Sequence, residues 1–372
     1  MSKFPTKYKW ADKIDRDDLH LNYNPEQPQE RFKSAGLDAA LLSASERLPL
    51  AVPWPAGKAP TPQALPTPPA DSDDLTKFRE YDAVVVTWTA AEAATLAALF
   101  TPGYQTSQWY EYRHGIATYI PLVTGGRAPF NDKQADMARY YHSLGLYFPC
   151  KIGAAKILVF KSGLHLDYDG PAVPVRKLMA EIAAAVQPKL FITTGTGGGI
   201  GSEVALGDVV VAGLTRFDCT TQFKNEPWKA SSYQTTSVPP KALAAITPSL
   251  TSVNAAKVPN ARANPKIWSA PTDAIVTTDF FGFDDSSDYY KLQGLGRVCD
   301  MGDAMVGQAL QGVAGLKWFA IRNASDPQIP NPNNDIKSAS EEADQIYSKY
   351  GAFTTAASVI ASWAIIDAVI NS

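Results

Sequence analysis

The sequence predicts an α/β protein in which a mostly parallel or mixed central sheet is flanked by helices on both sides. From about residue 81 onward, short apolar runs typical of strands alternate with segments that have helical spacing. Several of these runs have apolar residues at consecutive positions, which indicates strands that are buried on both faces. The 372 residues are enough to bury such a core.

The predicted elements follow in order along the chain, with apolar runs assigned to strands and periodic, often alanine-rich segments assigned to helices. The predicted strands are 82–87, 116–122, 155–160, 189–194, 208–212, 273–278, 297–301 and 317–322. The predicted helices are 90–100, 131–146, 173–186, 303–313 and 340–370. Residues 221–270 are rich in Pro, Ser, Thr and Asn and predict a long loop or lid.

Residues 1–80 differ in composition and predict an N-terminal extension to the α/β domain, which spans residues 81–372. A short helix is expected at 34–48, and a proline-rich segment follows it. So many prolines enforce an extended chain, which we interpret as a strap on the domain surface with Trp54 and Leu65 as anchors. A freely mobile linker is the alternative.

Composition excludes several classes of function. A net charge of −3 gives no cationic surface for nucleic acid. The three cysteines and four histidines are scattered, which argues against disulfides and against a metal site. The N-terminus lacks the apolar core of a signal peptide, and the longest apolar stretch, 356–370, contains polar residues. We expect a cytoplasmic protein without a membrane segment.

The glycine-rich run at 195–201 is the most informative segment. We interpret it as a turn between two strands, in which backbone amides around Thr196, Gly197 and Gly198 can hold an anion or a sugar oxygen. A dinucleotide fingerprint is excluded because Ile200 and Ser202 occupy the positions where its third glycine would stand. A phosphate loop is excluded because Gly-Lys-Ser/Thr is absent.

Further polar residues follow the ends of predicted strands, where open α/β sheets bind their ligands. Glu92 comes shortly after the first strand of the domain. Asp300 and Asp303 follow a short strand, and Asp326 follows the last predicted strand. Pro327 restricts Asp326 to non-helical backbone angles.

Three of these segments together resemble the nucleoside phosphorylase/nucleosidase superfamily, in particular methylthioadenosine/S-adenosylhomocysteine nucleosidases. The Thr194–Ile200 run with the following Gly-Asp-Val-Val-Val is similar to the family's glycine-rich turn and the strand after it. Asp300-Met301 stands where the family has Glu-Met-Glu, and Arg322-Asn-Ala-Ser-Asp326 is similar to its Arg-x-x-Ser-Asp. The resemblance covers about residues 81–370 and implies a nucleoside phosphorylase-like fold.

The resemblance implies cleavage of the N-glycosidic bond of a purine nucleoside. Asp326 would protonate the leaving base and should have a raised pKa, and Glu92 would activate water. Thr196, Gly197 and Gly198 would hold the water, an anion or a sugar hydroxyl. The remaining substrate contacts would come from Phe281 on the base, Met301 on the sugar, and Trp88, Asp300 and Asp303. The family also implies a homo-oligomer, a small-molecule nucleoside substrate, and neither cofactor nor metal.

Two departures from the family pattern keep alternatives open. Thr193 replaces the arginine that neutralises phosphate in the phosphorylases, which favours hydrolysis over phosphorolysis. A phosphorylase that recruits Arg113 or Arg127 remains the alternative enzyme. Gly302 replaces the family's second glutamate, which accepts the ribose hydroxyls, and this supports an inactive nucleoside-binding or structural relative.

Several of these residues also have a purely structural interpretation. Glu92 and Asp303 could be acidic residues that stabilise the first turns of helices. Phe281 could belong to the core, and Asp326 could simply form a turn with Pro327.

Overall fold

A computed structural model of the protein describes residues 52–119, 122, 143–164, 166, 173–254, 262 and 264–371. The predicted α/β architecture is confirmed, because one mixed sheet carries helices on both faces. The helix expected at 34–48 lies outside the described residues.

The strands of the sheet are mostly buried and range from two to ten residues in length. They are β1 (Pro60–Pro62), β2 (Ala83–Thr87), β3 (Tyr110–Tyr112), β4 (Gly145–Ile152), β5 (Ala155–Ser162), β6 (Leu190–Gly199), β7 (Val209–Val211), β8 (Leu214–Asp218), β9 (Ser232–Gln234), β10 (Ile267–Trp268), β11 (Ala274–Thr278), β12 (Val298–Asp300) and β13 (Lys317–Asp326). The helices are α1 (Ala90–Phe100), α2 (Ile116–Tyr119), α3 (Pro174–Val186), α4 (Pro240–Asn254), α5 (Asp303–Leu310) and α6 (Ile336–Ile370).

Strand β6 is the centre of the sheet and pairs with three neighbours. Its first half lies parallel to β2, and β13 runs parallel to it along nearly its whole length. The pairing with β2 ends at Thr193, whereas antiparallel pairing with β12 begins at Gly198. Between these positions one edge of β6 has no neighbouring strand among the described residues, and this gap positions the candidate site.

Side chains alternate between the two faces of the sheet and form two apolar layers. Val84 and Val86 of β2 point to the layer that contains α3 and α5. Ala83 and Val85 point to the opposite layer, which contains α1, α4 and α6. This alternation is the period-two pattern of a strand that is covered on both sides.

Helix α6 is the longest element and forms much of the second layer. Its Lys349–Ile370 portion is long and apolar enough to cross a membrane, but 78% of its most apolar window is buried inside the protein. It packs against α1, α4 and β13. Its apolar character therefore serves the core of the domain.

The proline-rich segment lies along one edge of the sheet and meets the end of α6. Residues 60–62 pair with β4, and the backbone N–H of Leu65 donates to the Tyr110 hydroxyl at 2.8 Å. The rings of Trp54 and Trp363 are 4.9 Å apart, and Lys58 pairs with Asp367 at 2.7 Å. This part of the N-terminal extension is held by specific contacts.

Two elements near the middle of the chain differ from the prediction. The strand expected at 116–122 is wrong, because Ile116 and Tyr119 are both buried at the three-residue spacing of a helical turn, α2. The helix expected at 131–146 falls largely outside the described residues. Its last two residues belong instead to β4, where Gly145 pairs with Ser162.

The glycine-rich run and the long loop also need correction. The run is not a turn: β6 continues through Gly199 because β13 and β12 pair with its glycine half. The bend follows it, where Gly201 and Gly207 have positive φ angles. Residues 221–270 contain α4, β9 and β10; the buried Ala242, Ile246 and Leu250 have helical spacing that their Pro- and Ser-rich surroundings concealed.

Candidate functional site

A small cavity, partly open to solvent, lies where the glycine half of β6 meets the ends of β12 and β13. It contains most of the predicted site residues, and other residues that the sequence analysis did not select. The predicted residues that line it are Thr196, Gly197, Gly198, Phe281, Asp300, Met301 and Asp326. The additional lining residues are Gly282, Cys299, Ser325 and Tyr347. None of the described lining residues is a lysine, arginine or histidine.

Asp326 presents a carboxyl oxygen without a hydrogen-bond partner among the described residues. It ends β13 after a β-bulge, since its partner on β6 is Gly198 while Ala324 pairs with Gly197. Its Oδ1 accepts a hydrogen bond from the Ser325 hydroxyl at 2.9 Å, and its buried Oδ2 accepts none from the part of the chain that the structure describes. Burial raises the pKa of Asp326 to about 7, against the lowering effect of the Ser325 hydrogen bond.

The glycines of β6 allow other groups to approach the strand closely. A Cβ on Gly195 would lie 2.3 Å from Oε1 of Glu92, and one on Gly197 would lie 2.8 Å from the Cys299 carbonyl oxygen. A Cβ on Gly198 would lie 3.1 Å from Oδ2 of Asp326. Glycine is therefore needed at these positions because neighbouring groups occupy the space beside the strand that a side chain would fill.

Glu92 does not line the cavity but fills the gap between β2 and β12. It is fully buried, and its Oε1 accepts hydrogen bonds from the backbone N–H and the hydroxyl of Thr196, at 2.7 and 2.8 Å. Its Oε2 accepts three more, from the Thr87 hydroxyl and the backbone N–H groups of Trp88 and Thr89. Burial alone would raise the pKa of Glu92, but the Arg322 guanidinium and these hydrogen bonds hold it below its usual value.

Glu92 also stabilises the first turn of α1. The Thr89 hydroxyl accepts the Glu92 backbone N–H at 3.2 Å, while the Glu92 carboxylate accepts the Thr89 backbone N–H. This reciprocal pair is a capping box, which explains why the helix predicted at 90–100 has the observed bounds. Glu92 therefore has a structural role in addition to any chemical one.

Arg322 is the buried cation behind the cavity and is surrounded by carboxylates. Asp303 accepts from its Nε and Nη2 at 2.8 and 2.9 Å. Asp300 Oδ2 lies 3.0 Å from Nη2, and Glu92 Oε1 lies 3.4 Å from Nη1. One arginine faces three acidic side chains, so this cluster gives the cavity a negative rather than a positive surrounding.

Asp300 is the member of this cluster that reaches the cavity. It accepts hydrogen bonds from the Thr277 hydroxyl at 2.6 Å and from the backbone N–H groups of Gly302 and Asp303 at the start of α5. Burial and the neighbouring Asp303 carboxylate raise the pKa of Asp300 to about 7, whereas Arg322 lowers it. Its oxygens are already occupied by donors, which leaves little capacity for a ligand hydroxyl.

Trp88 lies behind the cavity wall and fills the space beside Gly302. A Cβ on Gly302 would lie 3.1 to 3.4 Å from three atoms of the Trp88 ring. The ring also stacks on the Arg322 guanidinium, 4.9 Å from its centre. Trp88 and Gly302 are therefore complementary in size, and a side chain at 302 would require the indole to shift by a few tenths of an ångström.

The structure thus brings most of the predicted residues together but leaves Glu92, Asp303 and Trp88 behind the wall of the cavity. Of the alternative phosphate donors, Arg113 pairs with Asp71 and Glu111, and Arg127 lies outside the described residues. In the described part of the chain, no cluster of three or more His, Cys, Asp or Glu side chains could hold a metal ion.

Comparison with known proteins gives one family match. The family model of the phosphorylase superfamily matches residues 113–356. No curated protein matches the chain.

Several solved structures are similar to this chain at low identity. A 5′-methylthioadenosine/S-adenosylhomocysteine nucleosidase from Helicobacter pylori is 13% identical with a TM-score of 0.48, covering 78% of this chain and 99% of that one. Futalosine hydrolase from Helicobacter pylori is 13% identical with a TM-score of 0.48, covering 78% and 98%. A nucleosidase of the first kind from Neisseria meningitidis is 15% identical with a TM-score of 0.45, covering 77% and 99%.

Proposed function

The chain belongs to the phosphorylase superfamily, and we propose that it is a nucleosidase that hydrolyses the N-glycosidic bond of a purine nucleoside or a similar compound. The observation that carries the proposal is Asp326, a buried carboxyl group that lines the cavity and has one oxygen without a partner among the described residues. Its raised pKa suits a general acid near neutral pH.

In the proposed reaction, the bond between the sugar and the base breaks while Asp326 gives its proton to the base. The sugar carbon develops positive charge and forms a new bond to a water molecule. The acidic cluster of Glu92, Asp300 and Asp303 favours this charge, because Arg322 is the single cation among them. Phe281 and Met301 supply apolar surface for the base and the sugar.

The proposed activation of water by Glu92 has to pass through Thr196. Thr196 lines the cavity, and its hydroxyl donates to Glu92 Oε1, so the lone pairs of this oxygen would accept the proton of a water molecule bound there. As the water attacks, its proton moves to the Thr196 oxygen and the Thr196 proton moves to Glu92. A carboxylate with a lowered pKa is a weak proton acceptor. Such an acceptor suffices for this reaction when the bond to the leaving purine is largely broken before the water attacks.

Hydrolysis is proposed over phosphorolysis because of charge. A phosphate ion would enter a cavity whose described lining has no cation and whose nearest arginine is already paired with acidic side chains. An inactive nucleoside-binding relative is the second candidate, and it is favoured by the saturated hydrogen bonding of Glu92 and by the Trp88–Gly302 packing.

The test is release of free base from adenosine, inosine, methylthioadenosine and AMP, with and without phosphate. We expect release from at least one nucleoside, independent of phosphate, and its loss in Asp326→Asn. Glu341→Gln is the matched control, since Glu341 is an exposed carboxylate on α6. A fully active Asp326→Asn protein would end the proposed mechanism, and absence of release from every compound would leave the inactive relative.

A cytoplasmic location and a homo-oligomeric state complete the proposal. Both rest on the expectations drawn from the sequence and on membership of the superfamily. Sedimentation of the purified protein measures the oligomeric state directly.

A further inference from the structure

Tyr347 lines the cavity from α6, an element in which the sequence analysis selected no site residue. It lies on α6, is 5% exposed, and lines the cavity together with Thr196, Met301 and Asp326. Among the described lining residues it is the one contributed by this helix. None of the three motifs that carry the family resemblance includes it.

The Tyr347 hydroxyl is attached to the start of α1. It donates a hydrogen bond to the Thr89 hydroxyl oxygen at 3.0 Å, and both groups are buried. The same Thr89 oxygen accepts the Glu92 backbone N–H. The ring of Tyr347 is therefore fixed at its far end by the capping box that holds Glu92.

The capping box in turn holds the opposite side of the cavity. Glu92 Oε1 fixes both the backbone N–H and the hydroxyl of Thr196, which lines the cavity from β6. Hydrogen bonds therefore join Tyr347 to Thr196 through Thr89 and Glu92, so two walls of the cavity share one buried support.

The first turns of α6 also support a third wall. Ala339 and Ala343 form an apolar cluster with Phe283 and Ile329, and Phe281 packs against this cluster. Phe281 and Tyr347 both line the cavity, and α6 supports the first through Ala339 and Ala343 and carries the second.

We propose that Tyr347 is a ligand-positioning residue of this site. Its ring forms the α6 wall against the bound nucleoside, and its hydroxyl holds Thr89, Glu92 and Thr196 in the arrangement that hydrolysis needs. This inference rests on the proposed function, but its binding part can be measured without catalysis.

The experiment separates the ring from the hydroxyl. Tyr347→Ala removes both, and we expect KM to rise at least about tenfold, because an aromatic wall is lost. Tyr347→Phe keeps the ring and removes the hydroxyl with its hydrogen bond to Thr89, and we expect kcat to fall about three- to tenfold with KM within about twofold. Tyr350→Ala and Tyr350→Phe are the matched controls, because Tyr350 is on the same helix, partly exposed and outside the cavity lining.

A binding measurement keeps this inference distinct from the proposed function. Adenine and hypoxanthine are titrated into each variant by calorimetry, and Tyr347→Ala should bind the preferred base at least about tenfold more weakly than Tyr350→Ala. Equal binding in these two variants overturns the inference, whether or not the wild type releases base. Weaker binding in Tyr347→Ala supports it even if no compound is hydrolysed, which would refute the proposed function alone.

Two further outcomes are decisive. A Tyr347→Phe protein with the kcat of the wild type overturns the role of the hydroxyl. If Tyr347→Ala fails to fold, Tyr347→Leu retains apolar volume without the aromatic ring and replaces it in both measurements. Thermal unfolding of every variant identifies a loss that comes from the fold rather than from the site.

Discussion

Replacing Asp326 by asparagine should make the protein more stable above neutral pH while removing its activity. The carboxyl group has an ordinary pKa of 3.8, and burial raises its pKa to about 7 in the folded protein. The folded state therefore retains a proton that the unfolded chain releases. A group of this kind stabilises the fold most below the unfolded pKa, and the contribution is lost as the pH rises through the folded pKa.

The size of the effect follows from the difference between the two pKa values. Each unit of pKa corresponds to about 1.4 kcal/mol, so the wild type should lose up to about 4 kcal/mol relative to Asp326→Asn between about pH 4 and pH 7. The amide cannot ionise and keeps a similar shape. Asp300 also has a raised pKa, but it is present in both proteins and cancels in their difference.

Urea unfolding of both proteins at several pH values between about pH 5 and pH 8.5 measures this difference. We expect the two free energies of unfolding to diverge in favour of Asp326→Asn as the pH rises, and base release to fall by at least about a hundredfold. A difference that stays constant across this range would show that Asp326 is ionised in the folded protein, and the reasoning about a general acid would fail.

Three further predictions follow from the packing and charge of the site. Glu92→Gln should lower the free energy of unfolding, measured in urea, by about 3 to 5 kcal/mol, because Arg322 loses one carboxylate partner and an amide is placed among hydrogen-bond donors. The control Glu341→Gln changes an exposed carboxylate and should leave the free energy of unfolding unchanged. Equal stability of the two variants would contradict this account. Gly302→Ala should lower the free energy of unfolding by about 1 to 3 kcal/mol, because the added methyl group presses on the Trp88 ring. Combining it with Trp88→Phe should recover part of this loss, and additive losses in the double variant would refute a direct contact between the two side chains. Replacing chloride by phosphate at equal ionic strength should not change the rate of base release, and an increase would indicate phosphorolysis.

The sequence was sufficient for the parts of the fold and family that depend on local patterns. Membership of the superfamily and the α/β architecture are confirmed. The bounds of α1 agree with the prediction, and its start coincides with the Thr89–Glu92 capping box, which is a local feature of the sequence. Strand β8 was missed because only Leu214 and Phe217 of Leu214–Asp218 are apolar, so the segment has neither a continuous apolar run nor a regular alternation.

Features that depend on tertiary packing were not accessible from the sequence. The glycines at 195–199 suggested a turn, whereas neighbouring strands keep them extended and their missing side chains admit Glu92 and Asp326. The replacement of a carboxylate by Gly302 became interpretable only when Trp88 was seen to fill the space. Tyr347 offered no signal, because its place in the cavity depends on how α6 crosses the sheet.

Helix α6 also sets the order in which this protein can be completed during synthesis. All strands of the sheet precede residue 336, yet one of their apolar faces is covered largely by α6. A nascent chain whose β13 has just emerged from the ribosome therefore exposes this apolar face to solvent and still lacks Tyr347. Such a surface favours aggregation and binding by chaperones until the helix docks. Folding of the domain is consequently completed only after α6 has been synthesised, and a chain that stops before residue 336 should accumulate as insoluble protein.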